Sequence, residues 1–462
     1  MEGGLDKSYP NTAPYPSIGP RPNKAQGFGR INLEDFFNTT TKQYINQTKT
    51  YYAATDAPWN ATYYISDPTQ PLKVALAWAD APSDAAPTAP PLVNDLDLQV
   101  NTPFRLSDVY TFCWRSSPGN NVASGDDSQR LICIGTSYGI GSDYVNNEEI
   151  VLAQPWVQTS PKTQGFSRFI VNVRPRAING RAKPNDIPSV NNQDFAVYVY
   201  NGRTRGDIDA EGRTDTVWRN TSTGQLIAWF MNGATWLGSL AYLPSVPIGS
   251  LVGGLGDFDH NGSDDVAYQD TNGGVYIVPL NRTASAGSTI YVGTVTDTNW
   301  KLRAVGDLDD DDNMDLIFRY EAGGTNQGRV MVWRMNTTIK REETILASAL
   351  TDLNYALVGA ADMDGDGYCD LVWRNTASGA NLVWIMNGLT FVTTQTIQPE
   401  FDANWRIAAL GDYNSDGYND IVWRNIATGQ ARIWYMNGGA NYTSTAAFTS
   451  TPSTSWEIVG PR

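Results

Sequence analysis

The chain has little of what most protein chemistry uses. Its 462 residues include three cysteines and one histidine. Three cysteines are too few for a disulfide scaffold. Cys113 and Cys133 share a Gly/Ser-rich stretch and are expected to pair, while Cys369 is expected as an unpaired, partly buried thiol. The single histidine, His260, lies in an acidic loop, so no Ser-His-Asp triad can be assembled elsewhere. No nucleophile–base pair and no phosphate-cradling glycine loop is present, and no enzyme is expected. Long apolar runs are missing, which excludes a helical membrane span. Positive charge is short. Lys and Arg total 33 against 48 Asp and Glu, a formal net charge of −15, which argues against a nucleic-acid partner. Long helical periodicity is also absent.

What is plentiful points one way. Gly (42), Pro (25) and aromatics (11%) mark an all-β chain with many turns, long enough for two or three domains. Residues 1–35 are polar and Pro-rich and read as an extended arm, with a short helix from Leu33 to Phe37. Residues 36–200 read as a β-sandwich. Its strands are 72–78, 92–100, 149–152, 169–173 and 195–200, separated by long polar loops. Asp95, Asp97 and Glu148 are read there as outward strand residues, with a further cation site as the alternative.

Residues 201–462 are built on repetition. An acidic loop starts at Asp207, Asp257, Asp307, Asp362 and Asp412, at intervals of 50, 50, 55 and 50 residues. A fixed period in this range means a repeat architecture. Oxygens at positions 1, 3, 5 and 9 can converge on one ion if the backbone turns tightly, and Gly at position 6 permits the turn. Loop 1 offers Asp207, Asp209, Glu211 and Asp215; loop 2 offers Asp257, Asp259, Asn261 and Asp265. Loop 3 offers Asp307, Asp309, Asp311 and Asp315, with Asp312 in place of the glycine. Loop 4 offers Asp362, Asp364, Asp366 and Asp370; loop 5 offers Asp412, Asn414, Asp416 and Asp420. An all-oxygen set of flexible number favours Ca²⁺, about five ions in all, over Zn²⁺ or Mg²⁺. These loops hold eighteen acidic ligand side chains, so bound cations account for most of the acidity. They are not EF-hands, since β-type residues such as Val-Trp-Arg-Asn (217–220) follow them where a helix would stand.

Each repeat reads as loop, strand, Thr-x-x-Gly turn, strand, Trp-x-Met-Asn turn, variable strand and Trp-x-Ile-Val-Gly strand. Four short strands per ~50 residues is the pattern of a propeller blade. The aromatics are expected in blade cores. The first repeat lacks its own Trp-x-Ile-Val-Gly strand, and Trp456–Gly460 can supply it and close five blades. An open or truncated ring is the alternative.

Two resemblances follow from these motifs. Gly27-Phe-Gly-Arg-Ile-Asn-Leu33, Val74-Ala-Leu-Ala-Trp-Ala-Asp80-Ala-Pro82 and Leu92-Val-Asn-Asp-Leu-Asp-Leu98 resemble the region after the catalytic domain of secreted subtilisin-like proteases. That implies a jelly-roll accessory sandwich over residues 20–200, without the nucleophile motif. The repeats of 201–462 resemble FG-GAP/VCBS-type β-propeller repeats of extracellular adhesion proteins and lectins, which implies Ca²⁺ in the loops at blade edges.

Sequons stand at Asn38, Asn46, Asn60, Asn220, Asn281, Asn336 and Asn441, and these are the expected glycosylation sites. Asn261 also opens a sequon but is expected to bind metal. Residues 1–30 carry no secretory signal, so a processed chain is expected. The expectation is a non-enzymatic extracellular Ca²⁺-binding structural or adhesive glycoprotein. It would assemble into filaments through its amino-terminal arm and sandwich, with copies of itself or extracellular glycans and proteins as partners. The alternatives are an accessory fragment of a secreted protease and a propeller lectin.

Overall fold

The computed structural model describes residues 40–70, 72–81, 93–101, 111–115, 131–133, 148–153, 166–182 and 190–462. The expected arm and its helix lie outside them. All regular structure among the described residues is β. The chain forms two compact units. One holds the described residues within 1–59, 69–165 and 171–202; the other holds 60–68, 166–170 and the described residues within 203–462. The second unit therefore takes two short segments that a single cut at residue 200 leaves with the sandwich.

The expected sandwich strands are present as Leu72–Ala77, Asn94–Asn101, Glu148–Ala153, Arg168–Ile178 and Gln193–Tyr200. Two more strands, Lys42–Tyr51 and Trp59–Ile65, precede them, in a stretch where the sequence pattern marks no strand. Sheet pairing is antiparallel: Leu72–Ala77 lies between Glu148–Ala153 and Gln193–Tyr200, and Lys42–Tyr51 pairs with Gln193–Tyr200. Burial alternates along these strands, as two-faced sheets require. Tyr51 anchors the core of this unit. It stacks on Phe195 at 5.7 Å, and its hydroxyl donates to the Val173 carbonyl and accepts the Trp59 amide. Asp95 is buried, not outward, and Asp97 pairs with Arg176 at 3.2 Å; the side chain of Glu148 lies outside the described residues.

The repeats form a closed five-bladed β-propeller. Blades 2 to 5 each hold four antiparallel strands, beginning at Leu251, Trp300, Tyr355 and Trp405; in blade 2 a small separate hairpin, Leu280–Asn281 with Ala284–Ser285, precedes the outermost strand. Blade 1 has the order Thr235–Leu243, Leu226–Asn232, Thr216–Asn220, Trp456–Gly460. Its innermost strand is thus the last of the chain, with Trp218 opposite Ile458 and Asn220 opposite Trp456. That strand also lies beside the innermost strands of blades 2 and 5, which closes the ring.

The Trp-Arg-Asn motif joins blades. Trp218, Trp373 and Trp423 are completely buried. Arg319 lies over Trp373 (5.2 Å), Arg374 over Trp423 (4.8 Å) and Arg424 over Trp218 (4.9 Å), so the last of these contacts links blade 5 to blade 1. Each guanidinium also donates to carbonyls of the segment leading to the next strand, such as Glu400 and Asp402 for Arg374. The aromatics are blade core, as expected.

Candidate metal loops

Each acidic loop connects an innermost strand to the second strand of the propeller, or its equivalent in blade 1. All five share one backbone. Position 4 has left-handed φ in every copy: Ala210 (59°), His260 (59°), Asp310 (61°), Gly365 (80°) and Ser415 (57°). Position 6 does too: Gly212 (97°), Gly262 (91°), Asp312 (69°), Gly367 (94°) and Gly417 (90°). The turn at loop 3 therefore forms without glycine, in a conformation that costs an ordinary residue roughly 1–2 kcal/mol.

Two carboxylates make that backbone. The position 1 Oδ2 accepts the amide of position 6 in all five loops, at 2.9–3.0 Å. The position 9 aspartate is buried and uses both oxygens. Its Oδ2 accepts the amide of position 2 at 2.9–3.1 Å. Its Oδ1 accepts the amide at the Trp-x-Met-Asn turn: Met231, Met335, Met386 and Met436. Blade 2 departs in sequence there, yet Leu280 takes the same role at 2.7 Å. Position 9 thus ties each loop to its blade.

The remaining oxygens are brought together. Carboxylate oxygens lie within 4.8 Å of one another in Asp207, Asp209 and Asp215; in Asp257, Asp259 and Asp265; in Asp307, Asp309 and Asp311; and in Asp362, Asp364 and Asp370. Loop 3 thus converges through Asp311 and not Asp315. Loop 5 brings no such trio of carboxylates together among the described residues, since Asn414 holds position 3 and donates to Asp416. Other expected ligands are engaged elsewhere. Glu211 pairs with Arg213 at 2.7 Å, the Asn261 amide donates to the Leu280 carbonyl, and Asp366 accepts the Tyr368 amide.

The electrostatics of these trios ask for a cation. Burial pushes the Asp207 carboxyl up to about 8 against the pull of Arg203, and Asp370 up to about 8 against its two backbone donors. Burial, then Asp366, raises Asp362 to about 7. Burial raises Asp307 to about 7 even with Arg168 opposing, and Asp412 to about 7 with Asp416 adding to it. Carboxylates this close ionise together only with a counter-charge. Asp207 Oδ1 is a buried oxygen with no hydrogen-bond donor. The donor set is all oxygen. The residues therefore fit a hard divalent cation such as Ca²⁺.

Of the sequons, Asn281, Asn336 and Asn441 are exposed. Asn220 accepts the amides of Ser222 and Thr223, and the Asn60 amide donates to the Gly365 carbonyl. Asn38 and the side chain of Asn46 lie outside the described residues, as do the side chains of Cys113 and Cys133. The backbone pairs Cys113 with Leu131 and Cys133 with Thr111 on adjacent strands. Cys369 is a free, partly buried thiol whose pKa burial drives well up, so it is a poor nucleophile. No helix among the described residues is long and apolar enough to cross a membrane.

The family described as FG-GAP-like repeat matches residues 362–423, which run from loop 4 through the three outer strands of blade 4 and the innermost strand of blade 5 to loop 5 and the start of the next strand. No curated protein matches the chain. Among solved structures, the chain is similar to a Dos1 propeller (TM-score 0.25, 10% identity, covering 50% of this chain and 56% of that one). It is also similar to a protein of unknown function from Bacteroides caccae (TM-score 0.30, 10% identity, 51% and 82%). A third is an auxiliary nutrient binding protein from Bacteroides thetaiotaomicron (TM-score 0.30, 8% identity, 56% and 60%). The chain spans less than two thirds of the length of the first and third of these. The propeller rests on the pairing of its own strands; for residues 20–200 the comparisons add no family to the motif resemblance.

Proposed function

We propose that this chain is a non-enzymatic, extracellular Ca²⁺-binding scaffold with a structural or adhesive role. The observation that carries the proposal is the shared loop. Five copies keep the same two left-handed positions and the same two carboxylate–amide bonds, and four gather three carboxylates within 4.8 Å. Ca²⁺ bound in such a loop would clamp the strand before it to the rest of the blade. The FG-GAP-like match over loops 4 and 5 supports this reading.

Adhesion is supported by the outermost strands of the blades. They are open sheet edges, and they expose Tyr242 (72%), Ile339 (67%), Tyr291 (58%) and Val392 (58%). The exposed sequon at Asn336 sits just before such a strand, Ile339–Ala349, where a glycan would shield the edge from non-specific pairing. Copies of the same chain, or extracellular glycans and proteins, are the proposed partners. The likeness of residues 20–200 to a protease accessory sandwich suits a non-catalytic role.

The test is a thermal melt with and without EGTA, then with Ca²⁺ restored, joined to electron microscopy of the secreted glycoprotein in Ca²⁺. A reversible fall in melting temperature and ordered assemblies are expected. An unchanged melt removes the Ca²⁺ scaffold, and dispersed single particles at high concentration remove self-assembly.

A further inference from the structure

We infer that loop 3 is held by arginine instead of by metal, and that it alone among the converging loops keeps its order without Ca²⁺. This rests on the reading of the other loops as Ca²⁺ sites.

The trios differ in the partners around them. In loop 3 every converging carboxylate carries an arginine. Arg168 lies 3.2 Å from Asp307 and also pairs with Asp310; Arg334 pairs with Asp309; Arg341 lies 3.2 Å from Asp311. In loop 2 only Asp257 has such a neighbour, Arg203 at 3.6 Å, and the shorter contact of Arg203 is with Asp264 at 2.8 Å. In loops 1 and 4, none of Asp207, Asp209, Asp215, Asp362, Asp364 or Asp370 forms an ion pair among the described residues.

The arginines differ in weight. Arg341 is half exposed, and solvent screens its pair. Arg168 is buried, with its side chain 4% exposed, and its other terminal nitrogen donates to the Gly367 carbonyl of loop 4. A buried guanidinium needs a fixed anion, and Asp307 with Asp310 supplies it. Asp309 keeps one oxygen without a donor, but its other oxygen is taken by Arg334. A cation entering loop 3 would have to displace charges already in place.

The substitution at position 6 belongs to the same latch. Asp312 stands where the other loops have glycine, and its carboxylate accepts the Ser167 amide (2.6 Å), the Ser167 hydroxyl (2.9 Å) and the Arg168 amide (2.8 Å). Residues 166–170 group with the repeats in one compact unit. Loop 3 has thus given up its glycine for an acceptor that fixes the segment carrying Arg168.

Hydrogen exchange of the full chain, read peptide by peptide in Ca²⁺ and in EGTA, tests this. With Ca²⁺ at a hundred times its Kd, opening of a metal-held loop is slowed about 100-fold. Chelation should release that protection over 207–215, 257–265 and 362–370, and change 307–315 less than about twofold. An equal response at 307–315 overturns the inference. If no loop responds, it is the Ca²⁺ reading itself that fails. In Arg168→Gln, 307–315 should lose protection in both buffers or become Ca²⁺-dependent, while 362–370 responds as before. Unchanged protection of 307–315 in that variant overturns the arginine latch. If the variant does not fold, the wild-type comparison decides alone.

Discussion

Loops 3 and 4 have the same backbone and different surroundings. Both hold left-handed residues at positions 4 and 6, and both bind the blade through a buried position 9 aspartate. Around loop 4 there is glycine at position 6 and no ion pair on its trio. Around loop 3 there are three arginines and Asp312. The difference teaches that loop geometry and cation identity are separable. The geometry comes from amides, which both loops possess. The counter-charge comes from whatever the neighbourhood provides: side chains of the chain itself at loop 3 and, on the proposed reading, a diffusible ion at loop 4.

The largest expected effect comes from removing the diffusible ion. Each metal-held loop contributes about 2.7 kcal/mol at a hundredfold excess over Kd. Chelation at pH 7.5 should therefore lower the denaturant-unfolding free energy by several such increments. Single substitutions sharpen the contrast. Asp364→Asn should remove about one such increment of Ca²⁺-dependent stability. Asp309→Asn should cost about 1 kcal/mol for its lost pair with Arg334 and leave the Ca²⁺-dependent part unchanged. Unfolding of both variants in Ca²⁺ and EGTA checks this.

Proton linkage gives a third contrast. The folded carboxyls of Asp362 (about 7) and Asp370 (about 8) lie above the unfolded value of about 3.9. Without metal, the folded state then binds more protons than the unfolded state between those values, so stability falls as pH rises from 5 to 8. Ca²⁺ binds the ionised form, so the gap between melts in Ca²⁺ and EGTA should widen over the same range. The smallest effect is expected for Asp312→Gly. It relieves the left-handed strain but leaves buried amides of Ser167 and Arg168 without an acceptor, for a net loss of about 1 kcal/mol in either buffer.

Much of this was legible in the sequence because it is periodic. The interval between loops, the Trp-Arg-Asn strands and the missing first strand together led to a propeller closed by Trp456–Gly460. The carboxylates that converge at positions 1 and 3 of loops 1 to 4 were legible for the same reason. Three things were not. The left-handed residue at position 4 is Ala, His, Asp, Gly or Ser in the five copies, so no residue type marks it. Lys42–Tyr51 is rich in Asn, Gln and Thr, which blurs its alternation, and Trp59–Ile65 is short although its burial alternates strictly. The arginine latch is non-local: Arg168 is 142 residues from Asp310, and no spacing rule connects them. For the same reason the sequence treats all five loops as equal, where the structure separates them.

Counting bound ions tests the central claim most directly. Calorimetric titration of the chelated, full-length chain with Ca²⁺ at pH 7.5 should show saturable binding, with loop 3 contributing nothing to the stoichiometry and the melting temperature rising in step with occupancy. A flat titration at millimolar Ca²⁺, with a melt indifferent to EGTA, would contradict it.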